Sequence, residues 1–174
     1  DLMVVTYFMM PLSETLFDNR FFVTVMKQRE LDDTLYGDLN AKSNKPDDVI
    51  EQDLENVRIK SIMTREAKAM ILTEITSSKD TPEAGLTEEE DETPKHAEPV
   101  GAGEPLQERL RGWLKEFEGF KCCCAFGINN LTRLRIHKPE IHIETGRVAY
   151  QPPLEIEPSM AGPALFTKTS YSLR

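Results

Sequence analysis

The sequence predicts a mainly α chain with short extended segments, non-compact, in which two helical units are joined by a disordered acidic linker and followed by a Pro-rich extended tail. Three observations carry that expectation. Between Asp47 and Ser78 there is no Gly or Pro, and apolar residues recur at steps of mostly three and four. That spacing marks one face of a helix. A second stripe, Leu106, Leu110, Trp113, Leu114 and Phe117, follows Pro105 with similar steps. Between the two stripes, residues 79–105 are rich in Pro, Gly and carboxylates. Such a composition does not repay the entropy of ordering a chain.

Bulk composition narrows the function classes. The 174 residues carry a net charge of -9, with 39% hydrophobic and 7% aromatic side chains. The apolar share lies below that of ordinary globular domains, and the length suits one domain or a small domain with tails. A net acidic chain lacks the basic footprint of a nucleic-acid binder. The longest apolar run, residues 2–12, is too short to span a bilayer as a helix. No basic region precedes it, so no secretory signal is read there. The lack of an initiator methionine at Asp1 suits a processed product or a fragment.

The elements are expected in the following order. Residues 1–78 form an N-terminal unit. Residues 3–10 and 21–26 are β-branched and aromatic enough for strands, although a short buried helix fits each nearly as well. A short helix is expected over 14–20. Asp48 with Glu51 has capping-box spacing. From there the stripe runs through Ile50, Leu54, Val57, Ile62, Met63, Met70 and Ile71, and its shift near Ile59 implies a bend or two helices meeting at Thr64. Residues 79–105 form the linker, with an acidic block at 87–92. Residues 106–150 hold the second helix, which continues to about Phe120, then a cysteine cluster, then alternating strand-like stretches at 133–137 and 140–144. Thr145-Gly146-Arg147 is a turn signal. Residues 151–174 carry Pro152, Pro153, Pro158 and Pro163. Proline cannot donate to a sheet ladder, so this tail is expected as an edge strand at most, or as extended chain laid along a partner.

Few residues point to chemistry. Cys122, Cys123 and Cys124 are consecutive, which rules out a framework of distant disulfides and suits a reducing compartment. Adjacent thiols close a zinc tetrahedron poorly, and no family motif surrounds them as a catalytic nucleophile. Beside an amphipathic helix they are candidate S-acylation sites. The acidic block lacks the pattern of a calcium loop. Nucleotide-binding, hydrolase and zinc-protease signatures are absent. A sequon at Asn130-Leu131-Thr132 is a match common by chance.

The leading expectation is therefore a non-catalytic structural or scaffold subunit, without cofactor or metal. It would dock on a larger intracellular protein assembly, filament- or axoneme-like in style. The partner-binding residues would be Ile50, Leu54, Val57, Ile62, Met63, Met70, Ile71, Leu110, Trp113, Leu114 and Phe117. No nucleic acid and no small-molecule substrate is expected. One alternative is a peripheral membrane module, or the cytoplasmic part of a membrane protein, held by acylated Cys122, Cys123 and Cys124. A second is a thiol-dependent enzyme.

Overall fold

The computed structural model describes residues 2–10, 19–66, 68–77, 96–120 and 122–168. The expected short helix at 14–20 lies largely outside them, as does the acidic block at 87–92. Of the described residues, 50% are in strands and 16% in helices, which overturns the mainly α expectation.

The stripe between 47 and 76 folds into three strands, not a helix. Ile50–Leu54 (β3), Val57–Met63 (β4) and Lys68–Ser77 (β5) form an antiparallel meander. The deciding pattern has period two. Val57, Ile59, Ser61 and Met63 turn inward while Arg58, Lys60 and Ile62 turn out. Successive Cβ atoms alternate across a strand, so this register buries one clean face. β-branched Val57, Ile59, Ile71, Thr73 and Ile75 favour the same outcome. The first turn is only Glu55-Asn56, with Leu54 opposite Val57 and Glu55 in the left-handed region at φ 55.

The other strands complete the sheets. Leu2–Met9 (β1) and Arg20–Lys27 (β2) form a separate antiparallel hairpin. Val100–Gly101 (β6) precedes a helix, and Cys122–Leu131 (β7) follows it. Ile136–His137 (β8) pairs with Glu155–Ile156 (β10), and Arg147–Tyr150 (β9) pairs with Met160–Lys168 (β11). The main sheet runs β3-β4-β5-β7-β11-β6, with β9 also on β11. Only β5 and β7 are parallel. A parallel pair needs a crossover, and here the crossover contains the helix.

Two helices cap the layers. Asp33–Ala41 (α1) is capped by the Asp32 side chain, which accepts from the Leu35 N–H at 2.7 Å. Glu104–Glu116 (α2) starts with Pro105 in its first turn, where a missing N–H costs nothing. The layer order is α1, hairpin, main sheet, α2. Leu35 and Leu39 of α1 pack on Val5 and Tyr7. The opposite face of the hairpin, with Phe21, Val23 and Val25, closes over Ile59, Met63, Ile71, Cys124 and Phe126 of the sheet. Leu106, Leu110 and Trp113 of α2 cover Ala125, Ala161 and Leu165 on the far face.

The expected Pro-rich extended tail is instead an inner strand as far as Lys168. β11 pairs with β7 along its whole length. On its other side, β6 contacts Met160 and Ala161, and β9 contacts Leu165 to Thr167. Pro163 falls in the gap between those two short strands, where the strand is locally an edge. Of the expected linker, residues 96–105 carry β6 and the start of α2. No helix among the described residues is long and apolar enough to cross a membrane.

Candidate functional site

The sheet margin formed by β9, α2 and the chain leading into β9 holds the exposed features that the core does not use. Gly146, at φ 106, makes the turn into β9; a Cβ there would stand 2.8 Å from the Thr167 carbonyl oxygen. β9 then presents Tyr150 to α2. Its ring stacks on Trp113 with centroids 4.6 Å apart, and its hydroxyl donates to Glu116 Oε1 at 3.2 Å. Burial and that carboxylate raise the Tyr150 hydroxyl above its ordinary pKa. Phe117 meets Tyr150 edge-on and Phe120 at a tilt. Arg109 lies over Trp113, and Arg147 lies over Phe120. The result is a row of rings with a guanidinium at each end, a favourable arrangement for both cations. Along α2 runs an open cleft of about 670 Å³, lined by Val100, Pro105, Glu108, Arg109, Gly112, Trp113 and Glu116.

The chain before β9 is the least integrated part of the described fold. From 139 to 143 it has no helix, turn or bend. Its main-chain N–H and C=O groups from 139 to 145 make no hydrogen bond among the described residues. The alternation Glu140-Ile141-His142-Ile143-Glu144 is that of a strand, yet no ladder forms. Ile141 and Ile143 are each 39% exposed, far above the core isoleucines. One tether is present: the Tyr36 hydroxyl of α1, its pKa raised by burial and by hydrogen bonds to Tyr7 and Glu144, holds the end of the segment.

The expected partner-binding residues are mostly spent inside the molecule. Ile50, Val57, Met63 and Ile71 lie in the core between sheet and hairpin, with Leu54 packed against it. Leu110 and Trp113 lie in the core under α2, with Met70, Leu114 and Phe117 at its margin. Ile62 alone of the set is exposed. The stripe was real, but its steps of three and four came from three strands offset against one core, not from a helix face waiting for a partner.

The cysteines are also interior. Cys122, Cys123 and Cys124 are free, buried, and part of the strand between β5 and β11. Burial raises the Cys124 thiol, with Cys123 adding to it. Cys123 is raised by burial against the opposing pull of Lys68. Thiols held protonated in a doubly paired strand are poor nucleophiles, and acylating them requires unzipping the sheet. A continuous run of small apolar residues buried on both faces is how a central strand reads. That signal was present in 122–127. Among the described residues, no three His, Cys, Asp or Glu side chains stand close enough to share a metal.

Asn130 is not an acceptor for sugar in the folded chain. It is fully buried, its amide donates to the Leu134 carbonyl at 2.7 Å and the Ile156 carbonyl at 3.0 Å, and its Oδ1 accepts from Thr132. It ties the loop after β7 to β10. Comparison of the chain with protein-family models, curated proteins and solved structures gives no match.

Proposed function

We propose that this chain is a non-catalytic interaction domain, a structural subunit of a larger protein assembly. The observation that carries the reading is the segment at 139–145. It is shaped as a strand, unpaired along its main chain, and it exposes Ile141 and Ile143. A folded domain that satisfies the rest of its apolar faces internally gains nothing from such a segment unless something pairs with it. Buried unsatisfied backbone is costly, so the segment stays in water until a partner replaces that water. The three free thiols fit a reducing compartment, which places the assembly inside the cell, in the cytoplasm.

The test is fractionation of the tagged full chain at its native level. Co-elution with a high-mass complex after crosslinking supports the reading. Elution as a monomer throughout, with or without crosslinker, refutes it.

A further inference from the structure

We infer that residues 140–144 act as a strand donor, adding themselves to the open sheet edge of a partner protein whose rim is basic. The inference rests on the interaction reading above and names its mode. Strand addition needs free main-chain donors and acceptors, and alternate side chains to set register. Both are present. The main chain of 139–145 is unpaired among the described residues. In an extended chain Ile141 and Ile143 share one side, and Glu140, His142 and Glu144 the other. Two isoleucines one pleat apart suit two shallow apolar pockets, while the flanking carboxylates call for Lys or Arg beside them. Turn and tether hold the segment in place. Gly146 fixes its exit into β9, and Glu144 is bound to Tyr36.

A second copy of this chain is the poorer occupant. Antiparallel self-pairing centred on His142 sets Glu140 opposite Glu144 at both ends, and like charges directly opposite are destabilising. In-register parallel pairing places each glutamate beside its own copy. The outer strand β3 carries Glu51 and Asp53 on its exposed face, so it offers no basic rim either.

The experiment uses the full chain and a cyclised β-hairpin peptide. One edge of the peptide is blocked by N-methylation, and the other presents Lys-Val-Arg-Val-Lys. A matched hairpin carries Glu in place of its basic residues. Binding is followed by amide shifts and amide exchange. The expected result is perturbation confined to 139–146, exchange slowed at alternate residues, and affinity at least about tenfold weaker for the Glu hairpin. The double variant Ile141→Lys, Ile143→Lys should weaken binding by a similar factor. Its fold, checked by circular dichroism, should be unchanged, because neither residue belongs to a core cluster.

Perturbation at β3 or in the α2 cleft overturns the inference, as does equal binding of the two hairpins or no binding at about 1 mM peptide. Sedimentation of the chain alone as a dimer that Ile141→Lys dissolves also overturns it, in favour of self-pairing. Failure of the hairpin while the chain still fractionates with a high-mass complex sinks the strand-donor mode alone. Monomeric elution sinks the interaction reading itself.

Discussion

Gly127 and Leu106 should behave as one steric unit. Gly127 lies in β7 between Leu72 of β5 and Pro163 of β11, directly beneath α2. A Cβ at this position would stand 2.8, 2.9 and 3.0 Å from Cδ2, Cδ1 and Cγ of Leu106. Carbon atoms rest at about 3.5–4.0 Å, so Gly127→Ala demands a retreat of roughly 0.7 Å. Leu106 is fully buried and has nowhere to swing. The helix itself resists, because the Gly103 N–H just before it is held by Asn129 Oδ1 at 2.9 Å. Overpacking of this kind costs about 1–3 kcal/mol. Leu106→Ala alone leaves a cavity and costs about 2–5 kcal/mol. Combined, the new methyl enters the space the leucine vacated. The double variant should then be more stable than the sum of the two losses by at least about 1 kcal/mol, well outside the ~0.3–0.5 kcal/mol scatter of independent sites. Urea unfolding followed by Trp113 fluorescence and by far-ultraviolet dichroism gives all four stabilities. Additive losses, or a neutral Gly127→Ala, would refute the packing argument.

Other expectations follow from the core and the buried polar groups. Phe21→Ala, at a fully buried position between hairpin and sheet, should cost about 3–5 kcal/mol, whereas Leu134→Ser on the exposed loop should stay within about 0.5 kcal/mol; comparable losses in urea would contradict the layer order. Asn130→Ala removes one side chain that serves two carbonyls and Thr132, and should cost on the order of 3 kcal/mol, read as a shifted urea midpoint with unchanged slope. The thiols set a pH dependence. Folding raises the pKa of Cys123 and Cys124, so above the ordinary thiol value of about 8.5 the unfolded chain loses protons that the folded chain keeps. Stability is therefore full below about pH 8 and falls from there towards pH 10. A urea midpoint flat across that range would refute it, and native thiols should react with alkylating reagents only as fast as the sheet opens.

Parts of this architecture were legible in the residues, and the illegible parts have physical causes. The second helix, the strand character of 3–10 and 21–26, and the turn at Gly146 were read from capping, β-branching and turn chemistry, all local signals. The meander at 50–77 was not. Its turn at Glu55-Asn56 lacks the Gly that usually announces a hairpin, and Ser61 and Thr73 occupy core positions where the alternation should show apolar residues. The two hydroxyls bond each other at 2.9 Å inside the sheet, a pairing that only the cross-strand register creates. Pro163 hid β11 in the same way, because the gap that tolerates it is made by β6 and β9, distant in sequence. The candidate site was half visible. The strand pattern at 140–144 could be read directly, but that it stays unpaired is a property of the finished sheet.

The pairing order of the sheet also bears on how the chain is made. A strand leaving the ribosome can pair only with what has already emerged. β6 and β9 both precede β11, the strand each of them needs, and β5 waits for β7 across the whole crossover. Synthesis delivers about 5–20 residues per second, so the meander β3-β4-β5 and the β1-β2 hairpin can assemble while the other half of the sheet is still one-sided. For that interval β5 offers a bare apolar edge. The run of cysteines that will cover it arrives as an unpaired, oxidisable strand, and a nascent chain stalled there is the form most exposed to aggregation and to thiol damage.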